Sequence, residues 1–519
     1  MLRLSRRSLT WLSLLAALII LPAMQAPPND TAAPSGPPDV QNANATTDDV
    51  IWSSLAEQAQ AIRKKMQRGD LTSTTALPAR SDFSLEVKSY LLEYPDDVRA
   101  WNLLASLCGQ LRDDACVDRS ANEILRIQPE NVQAGLQWAA YYATLNKIDR
   151  ALEVIESLLA RNPTGLMYHN AWIVTATSID PMMIEPRFQA MLAKPDTIPH
   201  AIAFITAMRQ SDPWTAQTLG EQLLEAAPDD PDVIFAVAFT LRSTNQFAEA
   251  KALLGMLPDE KLAEPKIAYL YSDCHYADHH FERAYEIMSA INLDAIDEQS
   301  EDKAGLKRRL TFMLPLRETA IESWEREQAL RLADSERQDN PQVRLMIDGA
   351  PVEVELFQSE APNTVAAFLA LTSRGHYDET PFGQVQTGFR SIGGTIPGLV
   401  PYTLPSECKV PEARHFFSGT LATYLPSAGN PDSAHCEWCI YHFPAPHLNQ
   451  ERTVFGRVIS GMDTVRAMQQ GSQLNSVEII RSPEHDPNPI VLDADGQRVT
   501  FSEAMSEFNI GSMNDNATP

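Results

Sequence analysis

Three prolines, Pro95, Pro129 and Pro163, recur at 34-residue intervals in closely similar settings, LLEYPDD, ILRIQPEN and LLARNPTG. A proline has no N–H to give and its ring clashes with the preceding turn, so each marks the end of one helix pair and the start of the next. Between these marks the apolar spacing is helical, with Trp101, Leu104, Ala105 and Cys108 on one face and Ala151, Ile155 and Leu158 on another. A unit of this length cannot bury its apolar face alone. Stacked copies can, and that points this part of the chain to a helical solenoid.

The period blurs from Ile179 to Pro199 and returns in LLEAAPDD at Pro228, FAEAKALL around Ala248 and FERAYEIM around Ala284. Five to six helix pairs between Ser81 and Leu293 resemble tetratricopeptide repeats. An irregular helical bundle is the alternative. Repeats of this kind imply a concave groove that holds an extended peptide or a helix of a partner protein. The charged segment from Glu301 to Asn340 has helical spacing and reads as a spacer that ends before Pro341.

At Pro341 the pattern changes. In VRLMIDGAPVEVELF, Val352, Val354 and Leu356 alternate with Glu353 and Glu355 after an Asp348-Gly349 turn, which is a β-hairpin. The next stretch, APNTVAAFLALTSRG, places Val365, Phe368, Leu369 and Thr372 on one helical face and closes on Gly375. Together with GFRSIGG, GTLATYL and PHLNQERTVFGRVISGMDTV, these runs make the segment from about Pro341 to Arg481 resemble a cyclophilin-type peptidyl-prolyl cis-trans isomerase domain. The resemblance implies an all-β, eight-stranded antiparallel barrel with two capping helices. It also implies clients that are proteins or proline-containing peptides, and no cofactor or metal.

The resemblance further implies a site, and here the chain departs from the family. Turning an X-Pro bond means crossing a barrier of about 18 to 20 kcal/mol, and catalysis favours the twisted amide over either planar form. The family places an arginine in a Phe-His-Arg motif to do so; this chain reads Phe382-Gly383-Gln384. The family's Phe-Met-x-Gln-Gly-Gly reads Phe389-Arg390-Ser391-Ile392-Gly393-Gly394, so a pocket methionine becomes Arg390 and a hydrogen-bonding glutamine becomes Ile392. The Gln-Phe-Phe-Ile strand reads Glu437-Trp438-Cys439-Ile440, which replaces a pocket phenylalanine by Cys439. His447 precedes Leu448 where the family has tryptophan or leucine, and its pocket histidine falls at Arg452. Extra residues between Gly419 and Ile440 leave the family's backbone-reading asparagine without a firm counterpart near Leu425. Phe389 and Leu448 persist as pocket residues, while Phe455 fits either pocket or core. Gln384 is a poor stand-in for a guanidinium, because charge-assisted hydrogen bonds are roughly twice as strong as neutral ones. Arg390 and Arg452 are the candidate substitutes, or else solvated charges at the rim.

The remaining features bear on location and on minor sites. Arg3, Arg6 and Arg7 precede an apolar run from Leu9 to Pro22 and small residues from Ala23 to Ala26, the layout of a secretory signal peptide. Pro27 and Pro28 sit badly for a peptidase, so a retained membrane anchor stays open; either way the expectation is an exported, periplasmic or extracellular protein. With 68 acidic against 42 basic residues, a net charge of -26 argues against a nucleic-acid partner. Cys108 and Cys116 read as buried free thiols, although export permits a disulfide. Cys436 and Cys439 map to a strand, where residues three apart face opposite sides and form no joint site. His275 and His279 have two-ligand spacing for zinc, but with no third ligand CHYADHH reads as a solvated loop. The resulting plan is a signal or anchor (1–26), a disordered linker (27–50), a helical lead-in (51–80), repeats (81–300), spacer (301–340), barrel (341–481) and an extension (482–519) in which PIVLD and RVTF can pair as strands.

Overall fold

The computed structural model describes residues 47–67, 73–296, 301–395, 401–427, 429–482 and 488–506. The expected export signal and most of the tether after it lie outside the described residues. Among the described residues no helix is long and apolar enough to cross a membrane. The chain divides into two compact units, Met1–Ser211 and Asp212–Pro519.

In the first unit the proline marks work through helix caps. Two residues after Pro95 and Pro129, Asp97 and Asn131 accept hydrogen bonds from Arg99 N (2.9 Å) and Ala134 N (3.0 Å), opening the helices Val98–Leu111 and Val132–Thr144. Trp101 and His169, one turn into their helices, bond the carbonyls of Pro95 (2.7 Å) and Pro163 (2.8 Å), fixing the turn geometry from inside. Each helix packs on its partner, Asp114–Ile127 and Ile148–Arg161, through the faces the spacing selects. The blurred stretch is a helix, Ile184–Leu192, between two 3-10 turns. The reading of Cys108 and Cys116 as free thiols is corrected: they form a disulfide, with Cα atoms 5.8 Å apart. Arg112 in a left-handed conformation stops one helix and Asp113 caps the next through Cys116 N (3.1 Å), so the chain folds back tightly enough to bring the thiols together.

The second unit begins with further repeat helices, among them Pro231–Ser243 with Phe247–Leu254, and Pro265–Ala277 with Phe281–Ser289. The long helix Glu301–Arg337 follows. Its sequence reads as a charged helical spacer, and its last turns pack against the barrel. Glu327 and Asp334 are buried against the barrel, where Arg414 bonds Asp334 (2.8 Å) and Glu360 (2.9 Å) and Arg457 bonds Glu355 (2.6 Å). Phe417 and Phe443 of the barrel share an apolar cluster with Phe247, Tyr276, Phe281 and Ala320. The solvated-loop reading of CHYADHH is corrected for the same reason. His279 stacks on Trp324 (ring centroids 4.4 Å apart) and its Nε2 accepts the N–H of Ser418 at 3.2 Å. Barrel and last repeats are therefore one body.

The barrel is a single antiparallel sheet of strands β1 (Gln342–Ile347), β2 (Ala350–Leu356), β3 (Thr380–Pro381), β4 (Gln384–Gln386), β5 (Arg390–Gly393), β6 (Thr420–Thr423), β7 (Trp438–Tyr441), β8 (Val454–Ser460) and β9 (Gln473–Arg481). Their order is β3-β9-β1-β2-β8-β6-β7-β5-β4, nine strands where eight are expected. The ninth arises because one segment breaks in two. β3 and β4, at the two edges, are consecutive in the chain, and between them Phe382 N bonds Ser472 O (2.9 Å) while Gly383 N bonds Ile392 O (2.9 Å). The segment leaves one edge and joins the other, which curls the sheet around a core containing Val343, Leu345, Phe368, Phe382, Trp438 and Phe455. The short helices Pro362–Thr372 and Met462–Ala467 pack on β9 and β2. In the extension β10 (Ile490–Leu492) pairs with β11 (Arg498–Thr500), as its sequence suggests. It is not an appendage: Val491, Phe501 and Met505 join the barrel core.

Candidate active site

Strand register assembles the site. Side chains two apart on a strand share a face, and β5 pairs Arg390 with Tyr441 and Ile392 with Cys439 on β7. On its other side β5 pairs Ile392 with Gln384 and Arg390 with Gln386 on β4. Ala422 on β6 lies opposite Cys439, and Tyr424 N bonds Glu437 O at 3.1 Å. Gln384, Arg390, Ile392, Glu437 and Cys439 are thereby placed on one face of the sheet. The alternate residues Trp438, Ile440 and Leu421 turn to the core.

This face carries its own apolar cluster, in which Ile392, Cys439, Leu448, Phe416, Tyr441 and Val454 are buried, with Phe389 against them. Phe455 belongs to the barrel core instead. Phe389 stacks nearly parallel to His447 (centroids 6.2 Å, planes 20° apart), which holds the exposed imidazole at the rim. The two residues reach each other because a 3-10 turn, Pro446–Leu448, swings the chain back over the end of β5. Gly394 makes the exit of β5 feasible: it has φ of +76°, and a Cβ there would lie 2.6 Å from the carbonyl of Cys436.

The polar groups are arranged unevenly. Gln384 is exposed at the edge of the patch. Arg390 is half-buried: its Nη1 lies 3.7 Å from Cys439 Sγ, its Nε 3.4 Å from Gln386 Oε1, and its guanidinium stands over the rings of Phe389 and Tyr424. Arg452 comes from the loop before β8, and both guanidiniums act on Cys439 and Tyr441. Burial pushes the Cys439 thiol up to about 11 in spite of these two cations, so at neutral pH it is a thiol. Glu437 is turned aside and accepts a hydrogen bond from Thr395 Oγ1 at 2.9 Å. Cys436 lies in the barrel core and Cys439 on the opposite face, so the C-x-x-C spacing makes no site.

Several contributors escape the sequence reading. Tyr441 and Phe416 line the face, and Tyr424 and Gln386 flank Arg390. The β4–β5 turn is held from outside the barrel: Asn245, in the turn after the repeat helix Pro231–Ser243, accepts the N–H of Gly388 (2.5 Å) and donates to the carbonyl of Arg466 (3.0 Å). Alternation could have revealed Tyr441. Nothing local in the sequence points from Asn245 to Gly388, 143 residues away.

Residues 342–486 match the family described as cyclophilin type peptidyl-prolyl cis-trans isomerase/CLD, and residues 207–272 match a tetratricopeptide repeat family. Peptidyl-prolyl cis-trans isomerase B of Bacillus subtilis is 37% identical over 139 residues, which is 26% of this chain and 94% of the relative. A peptidyl-prolyl cis-trans isomerase of Synechococcus elongatus is 32% identical over 145 residues, 27% of this chain and 96% of the relative. Among solved structures, a cyclophilin type peptidyl-prolyl cis-trans isomerase of Cryptosporidium parvum aligns at 24% identity with a TM-score of 0.25, covering 28% of this chain and 99% of the other.

Proposed function

Through its C-terminal domain the chain belongs to the cyclophilin-type peptidyl-prolyl cis-trans isomerase family, and from that premise we propose an exported protein-binding and folding-assistance factor whose isomerase activity is weak or lost. The observation that carries the reading is the replacement of the family's charged donor by Gln384, a neutral amide exposed at the edge of the patch. The face beside it is rebuilt: Cys439 leaves the proline ring without its aromatic wall, and Arg390 extends along the space. Loss of one well-placed transition-state donor costs on the order of a hundredfold or more. The repeats supply the binding function, holding a partner protein in their groove while the barrel meets proline-containing segments.

Export is supported by the N-terminal pattern and by the Cys108–Cys116 disulfide, since such bonds persist in oxidising compartments. Membrane attachment follows if the N-terminal apolar run is retained. Fractionation tests location: recovery of the protein only in the cytosol with Met1 in place overturns export.

The activity test is isomerisation of a simple X-Pro peptide by the full chain. The expected rate is at least about a hundredfold below that of a relative with the full motif. Gln384→Arg alone restores little. Gln384→Arg with Ile392→Gln, Cys439→Phe and Arg390→Met restores more than the sum of the single changes, the last being needed because Arg390 occupies the space a phenylalanine would take. The second reading, an active isomerase acting on exported proteins, is favoured by the two guanidiniums on the same patch; wild-type turnover at ordinary family rates establishes it and sinks the first.

A further inference from the structure

We propose that the rebuilt face selects carboxylate-bearing proline peptides, with Arg390 and Arg452 as the anion-recognising pair. The inference rests on the peptide-binding reading above and adds the class of ligand. Elsewhere in this second unit the buried cations are matched by acids: Arg317 with Asp273, Arg414 with Asp334 and Glu360, Arg457 with Glu355. The patch breaks that pattern. Among the described residues no acid pairs with Arg390, whose hydrogen-bonding neighbours are the Gln386 amide, the Cys439 sulfur and the Tyr441 hydroxyl, and Arg452 has Nε and Nη1 buried with no hydrogen-bond partner. Of the acids nearby, Glu437 acts on Cys439 through its charge but is hydrogen-bonded to Thr395 and not to either arginine, and Glu451 is exposed beyond His447.

A guanidinium withdrawn from water without a partner is unfavourable, and the cost is recovered when an anion supplies the missing acceptors. The surroundings make such an anion selective. Phe389 and Tyr424 flank the Arg390 guanidinium and keep it extended. Ile392, Leu448 and Val454 offer an apolar floor for a proline ring beside it. A ligand that joins a ring to a carboxylate on the same or the preceding residue matches both halves. Its carboxylate has two sources in peptides: an Asp or Glu side chain preceding proline, or the terminal carboxylate of a chain ending in proline. In a protein of net charge -26, general electrostatic attraction does not explain such a preference; it must come from these two side chains.

The test is titration of the full chain with four fluorescently labelled peptides: acetyl-Ala-Glu-Pro-Ala-amide, its Gln and Lys counterparts, and acetyl-Ala-Gln-Ala-Pro with a free carboxylate. The expected result is that one or both carboxylate peptides bind about ten- to a hundredfold more tightly than the Gln peptide, and that the Lys peptide binds weakest. Which carboxylate peptide wins identifies the source. The preference should shrink as salt rises from about 0.05 to about 0.5 M and disappear in Arg390→Met with Arg452→Met, while Arg390→Lys keeps part of it. Circular dichroism and unchanged hydrogen exchange in β1 and β9 separate lost selectivity from lost fold. Equal binding of all four peptides overturns the inference and leaves peptide binding intact. A preference that survives removal of both arginines overturns it as well. Failure of every peptide to bind overturns it together with the reading it rests on.

Discussion

Replacing Arg414 by methionine tests whether the ionic cluster under the long helix holds that helix to the barrel. Arg414 is about 1% exposed at its side chain and lies among Asp334 (0%), Glu360 (8%) and Glu327 (5%), at 2.8, 2.9 and 3.5 Å. Methionine fills much of the same volume, so the change removes the charge and its hydrogen bonds while leaving only a small cavity. Asp334 then retains Arg337 at 3.0 Å and the longer contact to Arg457 at 3.6 Å, while Glu360 keeps Ser359. Breaking a buried ion pair from one side costs about 3 to 5 kcal/mol, because the surviving charge stays desolvated. Since each 1.4 kcal/mol is a factor of ten, exchange protection of amides in the last turns of Glu301–Arg337 should fall by at least about a hundredfold. Hydrogen exchange read peptide by peptide suits the question, because unfolding of a chain with two compact units is not two-state. The triple variant with Asp334→Asn and Glu360→Gln should regain much of the loss, since the stranded acids are neutralised with it. Protection in R414M within about a factor of five of wild type, well short of the hundredfold above, refutes the reasoning and means that water already screens the cluster.

Burial pushes the His279 imidazole down to about 3, helped by Arg331 and Arg466. The unfolded chain takes up a proton near the ordinary 6.5 and the folded one does not, so this contribution to stability is present above about 6.5 and is lost as pH falls toward 3, at up to about 1.4 kcal/mol per pH unit. Because His442 titrates in the same direction, the measurement is the difference between wild type and His279→Gln, which should show the shallower acid limb; identical limbs count against a buried neutral His279. Removing the Cys108–Cys116 disulfide with serines should lower the stability of the first unit by about 2 to 3 kcal/mol, seen as a lower melting temperature in oxidant that reductant does not lower further; thiol titration of the denatured wild type should find four of its six cysteines free. Asn245→Ala leaves the Gly388 N–H without its partner and should cost about 1 to 3 kcal/mol locally, read as faster exchange confined to the β4–β5 turn and the Arg466 helix. Gly388→Ala should perturb the same turn, because Gly388 has φ of +73° and an added Cβ would lie 3.1 Å from Arg242 Nη1; unchanged exchange in both variants removes the repeats from any part in shaping the patch.

What could be read in the sequence divides by the range of the interaction that fixes it. Pro95 and Asp97, or Pro129 and Asn131, act within one turn of the chain, so the helix boundaries were legible. Alternation and register extend that reach: once β5 and β7 are recognised, period two places Arg390, Ile392 and Cys439 on a shared face. The broken strand was not legible, because the Phe382–Gly383 switch depends on Ser472 and Ile392 being present to receive it. Glu327 and Asp334 sit in a run whose composition is that of a solvated helix, and only their partners, 80 residues on in the case of Arg414 and Asp334, reveal them as buried. Charge in a sequence carries no sign of its dielectric surroundings.

The same consideration bears on what the repeats contribute. A solenoid that merely carried a barrel on a linker would leave the barrel's surface polar where the two meet. Here Phe417 and Phe443 are buried against Phe247, Tyr276 and Phe281, and Ser418 bonds the carbonyl of Ala277 and Nε2 of His279. An isolated barrel would expose those rings and strand Arg414 and Arg457 without Glu327 and Asp334, so the apolar and the ionic contacts both tie its stability to the repeats. Asn245 and Arg466 extend the tie to the turn that carries Phe389 and Arg390. The last repeats therefore have a direct hydrogen-bonded link to the turn beside the candidate site. The final repeats, the long helix and the barrel are thus one structural unit.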